Sequence, residues 1–216
     1  MTDRQFHARL DAPAFHRNRQ PILDVLKPLL ENIAGNALEI GCGSGQHARA
    51  FAEAFPNLTV WPSDIEARHR ASADAWQAVD GFANHMPAID LDAAASDWSL
   101  GSPERPPNEL SLVYAFNVIH ISPWTVAEGI VRGAARHLAP DGQLILYGPY
   151  KRNGAHTADS NARFDASLRS QDPAWGVRDL EAVEALARDR GLTLKSVHEM
   201  PANNLTVAFS RKGDEA

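Results

Sequence analysis

The feature that most constrains this chain is a glycine-rich loop with the sequence Gly-Cys-Gly-Ser-Gly at residues 41–45. A short apolar run, residues 37–40, comes before it, and a helical pattern of apolar residues, 46–55, follows it. This order predicts a strand, a turn and a helix. Because glycine has no Cβ and tolerates positive φ, such a turn lets the backbone approach a ligand closely. The loop therefore indicates a nucleotide-like ligand, although a tight turn without a ligand can use the same residues.

The spacing of the glycines separates two candidate ligands. In the dinucleotide fingerprint the third glycine falls five residues after the first, but that position is Gln46 and the third glycine is Gly45. NAD is therefore the weaker interpretation. The pattern Glu-x-Gly-x-Gly-x-Gly, which begins at Glu39, resembles motif I of the class I, Rossmann-like methyltransferases that use S-adenosylmethionine (SAM).

Strand and helix patterns alternate along the chain, as expected for right-handed βαβ units on a parallel sheet. The predicted strands are residues 37–40, 58–61, 88–91, 110–116, 143–147, 192–198 and 205–209. The short link at 200–204 joins the last two strands into a predicted antiparallel hairpin. The expected fold is α/β, with a doubly wound, Rossmann-like sheet of seven strands that ends in this hairpin, and the resemblance implies the class I methyltransferase fold.

Two segments flank the predicted sheet within what we expect to be a single methyltransferase domain, residues 1–216. The first is an N-terminal helical cap, residues 1–35, with a helix over 21–33 in which Pro21 lies in the first turn and Pro28 kinks or interrupts the helix. The second is residues 151–177, which are irregular but rich in polar and aromatic side chains. We interpret them as a substrate cap, or alternatively as a surface loop over the sheet edge.

The methyltransferase resemblance assigns cofactor roles to residues at the ends of strands. Glu39 would face the amino end of methionine, Asp64 would accept from the ribose hydroxyls, and Asp90 would border the adenine. Arg17 could reach the cofactor carboxylate with its guanidinium group. The full set of expected cofactor-binding residues is Arg17, Asn18, Glu39, Gly41, Gly43, Gly45, Asp64, Ile65, Asp90, Leu91 and Asn117. Cys42 is interpreted as a small side chain that fills the loop.

Longer stretches resemble one family, the domain of unknown function 938, which includes methyltransferase-like protein 26. The resemblance spans nearly the whole chain and implies the fold and the SAM cofactor, but no reaction. It is carried by Arg-Asn-Arg-Gln-Pro-Ile at 17–22, Gly-Gln-His at 45–47, Trp-Pro-Ser-Asp at 61–64, Asn-Val-Ile-His-Ile-Ser-Pro-Trp at 117–124, Tyr-Gly-Pro-Tyr at 147–150, Asp-Ser-Asn at 159–161, Phe-Asp at 164–165, Leu-Arg at 168–169, Trp-Gly-Val-Arg-Asp at 175–179 and Met-Pro-Ala-Asn-Asn at 200–204.

The expected reaction is an in-line methyl transfer, which can be accelerated largely by alignment in a dry pocket. A base would help a hydroxyl or protonated amine acceptor, and His120 is the catalytic candidate because its unperturbed pKa lies near neutrality. His120 could instead only pack or bond the neighbouring loop. Aromatic faces could wall the acceptor or contact a cationic amine. The substrate-binding candidates are Trp124, Tyr147, Tyr150, Asn161, Arg169 and Asn203.

Composition limits the partners. The formal net charge of -6 gives no electrostatic footprint for nucleic acid, so the expected partner is a small-molecule acceptor. A single cysteine excludes an intrachain disulfide and a Cys-based metal cluster, and no metal is expected. No membrane segment or signal peptide is recognisable, which favours a cytoplasmic protein. A SAM-binding sensor or scaffold without turnover is the alternative function, and both a monomer and a homodimer are compatible with the sequence.

Overall fold

The glycine loop lies where the sequence predicts it, between a buried strand and a helix. The computed structural model describes residues 8–211. These residues form two compact units, one comprising 8–92 and 98–114 and the other 93–97 and 115–211. The first seven residues of the predicted N-terminal cap lie outside the described residues.

The first unit contains a parallel sheet. Its elements are α1 (Pro13–Leu30), β1 (Gly35–Ile40), α2 (Gln46–Ala54), β2 (Leu58–Asp64), α3 (Ala67–Asp80), β3 (Ile89–Asp90) and most of β4 (Leu110–Phe116). β1 lies between β2 and β4, with Leu38 opposite Trp61 on one side and Val113 on the other, and β3 pairs with β2. The last four residues of β1 are all buried, as expected for a strand covered on both faces.

Helix α1 differs from the prediction at its start. It begins at Pro13, so Pro13 occupies the first turn and Pro21 lies in the helix interior. It also continues through Pro28 to Leu30 without interruption. Each interior proline removes one backbone hydrogen bond. An apolar stripe compensates for this loss by packing inward, with buried side chains at Phe15, Ile22, Leu23, Leu26 and Leu30.

The second unit contains antiparallel strands. Its elements are a 3₁₀ turn (Val118–His120), α4 (Trp124–His137), β5 (Leu138–Arg152), β6 (Ala155–His156), α5 (Asp159–Gln171), β7 (Arg178–Asp179), α6 (Leu180–Arg188), β8 (Leu192–Met200), a second 3₁₀ turn (Pro201–Asn203) and β9 (Asn204–Arg211). β9 pairs antiparallel with both β5 and β8, which confirms the predicted C-terminal hairpin.

The described residues contain nine strands rather than the predicted seven. The two additional strands, β6 and β7, have two residues each and pair with the end of β5. They are too short and too polar to show a hydrophobic pattern. The prediction of an α/β fold with parallel strands and an antiparallel C-terminal end is confirmed.

Residues 151–177 are more regular than the sequence suggested, because α5 occupies thirteen of them. Its buried residues are Asn161, Asp165 and Leu168, which are spaced four and three residues apart and share one face. Two of the three are polar, so the periodicity of apolar residues did not reveal the helix. Within residues 8–211, no helix is both long and apolar enough to cross a membrane.

Candidate functional site

The three loop glycines all adopt positive φ. The values are 67° for Gly41, 54° for Gly43 and 78° for Gly45. At Gly45 the constraint is also steric, because a Cβ there would lie 2.4 Å from the Cα of Ala73 in α3. A side chain at this position would therefore meet backbone that cannot move away easily, and the close approach of α3 to the loop depends on glycine.

The loop is tied to the end of β2. The Gly43 amide donates to Asp64 Oδ2 at 2.9 Å, and the Cys42 amide donates to the Ser63 carbonyl at 2.8 Å. Asp64 is only 6% exposed, and it also accepts the Glu66 amide on Oδ1 at 2.9 Å. The structure therefore brings two predicted cofactor-binding residues, Gly43 and Asp64, into direct contact.

The acceptor capacity of Asp64 is nearly used within the protein. Besides the two amides, His69 Nδ1 lies 3.2 Å from Oδ2. A carboxylate offers about four lone-pair sites, and these three donors leave room for about one more. Asp64 therefore has room for about one further donor, such as a hydroxyl group.

Glu39 is a buried acid at the end of β1. It is 2% exposed, and its Oε2 has no hydrogen-bond partner among the residues that the structure describes. Burial raises the pKa of Glu39 well above its usual range, the negative charge of Asp64 raises it further, and hydrogen bonding to Tyr114 acts in the opposite direction. A buried oxygen without a partner is costly. A cationic group placed against Glu39 would remove this cost, which fits the ammonium group of a methionine moiety.

Three predicted cofactor-binding residues at the ends of β2 and β3 differ in exposure. Ile65 is 62% exposed and offers an apolar surface directly after Asp64, whereas the Leu91 side chain is buried. The Asp90 side chain is exposed and pairs with Arg70 Nη1 at 3.2 Å. Arg70 also donates to the Ile65 carbonyl at 2.8 Å, so it links the end of β2 to the end of β3. No local motif in the sequence singles out Arg70.

The N-terminal segment reaches the loop through Gln46, to which the sequence assigned no contact with that segment. Gln46 Oε1 accepts the Ala12 amide at 2.8 Å, and Gln46 Nε2 donates to Asp11 Oδ1 at 2.8 Å. The predicted cofactor residues Arg17 and Asn18 lie inside α1 rather than before the first helix, and the Arg17 side chain is exposed. The contact between this segment and the loop is therefore made at residues 11–12.

A second group of predicted residues meets in the second unit, around Gly148. A Cβ at Gly148 would lie 2.4 Å from His120 Nε2 and 3.3 Å from Asn117 Oδ1, so both side chains approach its backbone. The ring of Tyr150 meets the His120 ring edge to face, with centroids 5.2 Å apart. Both ring nitrogens of His120 and the hydroxyl of Tyr150 are buried without a hydrogen-bond partner in the described chain. This buried polar cluster contains unsatisfied donors and acceptors.

His120 is held neutral. Burial lowers its pKa to about 3, and the positive charge of Arg178 contributes in the same direction, against smaller effects of the Gly176 backbone and Asp165. A neutral imidazole accepts and donates one hydrogen bond each. With so low a pKa His120 is a weak base, so at neutral pH it acts as a hydrogen-bonding group rather than as a general base.

The remaining substrate-binding candidates have mainly structural contacts. Asn161 Nδ2 donates to the Asn203 carbonyl at 3.0 Å, which ties α5 to the turn before β9. Tyr147 is buried against Phe116. Two further contacts involve arginines: Arg178 lies over the Trp124 ring at 5.8 Å, and Arg169 Nε lies 3.3 Å from Asp165.

This chain is similar to known proteins in both sequence and fold. A family model described as "Protein of unknown function (DUF938)" matches residues 9–211. Among curated proteins, the ribosomal RNA small subunit methyltransferase C of Shewanella piezotolerans is 31% identical over 121 residues, which is 55% of this chain and 35% of that protein. The chain thus spans about a third of this relative.

Two solved structures show the same fold. An O-methyltransferase family protein from Burkholderia thailandensis superposes with a TM-score of 0.78 at 17% identity, over 94% of this chain and 58% of that one. Human N-acetylserotonin methyltransferase, solved in complex with SAM, gives a TM-score of 0.71 at 11% identity, over 93% of this chain and 53% of that one. These similarities confirm the class I methyltransferase fold.

Proposed function

We propose that this chain, which belongs to the DUF938 family of proteins of unknown function, is a SAM-dependent methyltransferase that acts on a small molecule. The observation that carries the proposal is the glycine loop of the first unit, in which positive φ at all three glycines accompanies a hydrogen bond between Gly43 and Asp64. The fold shared with a methyltransferase solved with SAM supports the same cofactor.

In this proposal the residues of the first unit bind the cofactor. Glu39 holds the ammonium group of the methionine moiety, Asp64 accepts a ribose hydroxyl, and Ile65 provides an apolar surface for the adenine. SAM supplies, when bound, an electrophilic methyl group on a sulfonium. The protein's contribution to an in-line transfer is to align the acceptor and to exclude water.

The residues of the second unit orient the acceptor. His120 and Tyr150 have buried polar atoms without partners, and Asn117 lies beside the same glycine as His120. A neutral His120 can accept a hydrogen bond from an acceptor hydroxyl or amine and so fix the direction of its lone pair. We therefore propose that His120 positions the acceptor and does not carry its proton away.

RNA is the second candidate acceptor, because the curated relative is named a ribosomal RNA methyltransferase. The net charge of -6 argues against it, since binding to a phosphate backbone depends on clustered Lys and Arg. The earlier alternative, a SAM-binding sensor without turnover, needs only the first unit. A cell extract with and without its RNA distinguishes the three candidates. Methyl transfer in the RNA-free extract supports a small-molecule acceptor, methyl transfer only when RNA is present supports RNA, and SAM binding without methyl transfer supports the sensor.

Calorimetric titration of the full chain with SAM and with its demethylated product tests the cofactor. The variant Asp64→Ala should bind about 10- to 100-fold more weakly, as expected for charge-assisted hydrogen bonds. Glu104→Ala is the matched control, because Glu104 is an exposed acid of the same unit. Failure of the unaltered chain to bind either compound at hundreds of micromolar would exclude the proposal.

A further inference from the structure

Four basic side chains of the second unit lie around one buried carboxylate, Asp165. We call Lys151, His156, Arg169 and Arg178 the cationic cluster. Asp165 is 7% exposed, and its Oδ2 lies 3.3 Å from both Lys151 Nζ and His156 Nε2. Arg169 Nε lies 3.3 Å from the same carboxylate. One acid therefore holds three basic side chains in place.

Backbone contacts fix the position of the cluster. The Val177 amide donates to Asp165 Oδ1 at 2.7 Å, and a Cβ on the preceding Gly176 would lie 2.6 Å from that oxygen and 2.8 Å from Arg169 Nη2. Gly176 also has a φ of 149°, in the region that favours glycine. The absence of a side chain at this position lets the carboxylate and the guanidinium approach the backbone.

Arg178 is bound differently from the other three basic side chains. Its guanidinium donates to the carbonyls of Ile119 at 2.8 Å, Ser122 at 2.5 Å and Ala174 at 2.8 Å. No acid of the described chain lies within ion-pair distance of it. The positive charge of Arg178 is thus oriented by neutral groups and is not neutralised by a direct partner.

Among the side chains of the cluster and Asp165, positive charge exceeds negative charge. The cluster has two arginines and one lysine against the single carboxylate of Asp165. Burial lowers the pKa of Arg178, and the charge of Arg169 lowers it more than Asp165 raises it. A half-buried excess of positive charge is an arrangement that recognises small anions.

We propose that the cationic cluster binds an anionic group, a carboxylate or a phosphate, on the methyl acceptor. The cluster is accessible, because the side chains of Lys151, His156 and Arg169 are 20%, 25% and 47% exposed. The identification of the ligand as the acceptor rests on the proposed function, whereas the preference of the cluster for an anion does not.

Matched small ligands test the charge preference. The full chain, saturated with the demethylated product of SAM, is titrated with benzoate, with the neutral amide benzamide and with inorganic phosphate. Benzoate or phosphate should bind at least tenfold more tightly than benzamide, as expected for one charge-assisted contact. Equal binding of benzoate and benzamide, or no binding of any of the three probes, overturns the proposal.

Two glutamine variants on α5 locate the site. Arg169→Gln should weaken binding of the anionic probe about three- to tenfold, a loss that allows for the exposure of this side chain. Arg163→Gln is the matched control, since Arg163 is an exposed arginine on the same helix with no ion pair in the described chain. Equal losses in both variants would mean non-specific attraction, and an unchanged affinity in Arg169→Gln would mean that the cluster only fastens α5. Either result overturns the proposal.

Two further titrations follow. The first identifies the source of the anion, and the second tests the proposed function separately. If a single-stranded RNA oligonucleotide alone shows binding that depends on Arg169, the cluster serves a nucleic acid and the small-molecule proposal is wrong. Titration with SAM on the same samples tests the methyltransferase proposal independently. Selective binding of benzoate by a chain that does not bind SAM would support the anion site and exclude the methyltransferase function.

Discussion

The buried carboxyl of Glu39 allows the sharpest test of the proposed cofactor site. Glu39→Gln preserves the shape of the side chain and removes its ability to become negative. The Oε2 atom that lacks a hydrogen-bond partner is the atom we assign to a cationic ligand group. A hydrogen bond between charged groups contributes about 1.5–3 kcal/mol. The variant should therefore bind SAM roughly 10- to 150-fold more weakly.

The pH dependence provides a second measurement on the same side chain. Because burial and Asp64 raise the pKa of Glu39, the free protein retains a proton that the unfolded chain has already lost. This stabilising contribution is complete below the unfolded-state pKa and is lost as the pH rises through the folded-state pKa. SAM binding needs the ionised form, so its affinity should increase with pH over the same interval.

Calorimetric titration with SAM and thermal unfolding between about pH 5 and pH 8 measure both effects. Glu39→Gln should lose the pH dependence of SAM affinity that comes from this group, and its unfolding free energy should fall less with pH than that of the unaltered chain. Glu104→Gln, at an exposed position, should change neither quantity. Unaltered SAM affinity in Glu39→Gln, with the fold intact, would refute the assignment of Glu39 to the ammonium group.

Three further predictions concern the loop, the core and the acceptor site. Gly45→Ala should lower the free energy of unfolding by about 2–4 kcal/mol, because the new Cβ meets Ala73. Gly43→Ala has open space around the new Cβ and should lower it by about 1–2 kcal/mol, because of the positive φ alone. Chemical denaturation of both variants measures the difference. Leu26→Ala removes a fully buried side chain of α1 and should cost about 2–5 kcal/mol, so a smaller loss would mean that α1 packs loosely. His120→Ala should reduce turnover of the acceptor and leave SAM affinity unchanged. Full activity of this variant would mean that His120 only packs in the core.

The parts of the fold that the sequence predicts well are those in which burial and hydrophobicity coincide. β4 was predicted at residues 110–116 and is observed over Leu110–Phe116, since nearly every residue in it is buried. The start of α1 was missed for a different reason. Proline normally marks the first turn of a helix, so Pro21 suggested a start, but the helix begins at an earlier proline, Pro13, and the buried side chain of Phe15 lies before Pro21.

For the candidate site, spacing in the sequence predicts which residues meet but not how their polar atoms are satisfied. The loop pattern placed Glu39 near the glycines, yet only packing reveals that one of its oxygens is buried without a partner. His120 was the candidate base because the ordinary pKa of histidine lies near neutrality. Our proposal that His120 positions the acceptor instead rests on the effects of burial and of Arg178 on its pKa, and these effects depend on contacts between residues far apart in sequence.

Buried polar residues account for most of what sequence reasoning missed. Gln46 holds the N-terminal segment against the loop, and Asn161 and Asp165 occupy the inner face of α5. Periodicity counts apolar residues, so a helix whose inner face is polar resembles an irregular segment. Polar residues remain at core positions only when they hold other groups in place, and such local exceptions concentrate at functional sites. The polar inner face of α5 also provides Asp165, the carboxylate around which the cationic cluster is arranged. For this reason we propose that the acceptor's anionic group binds there.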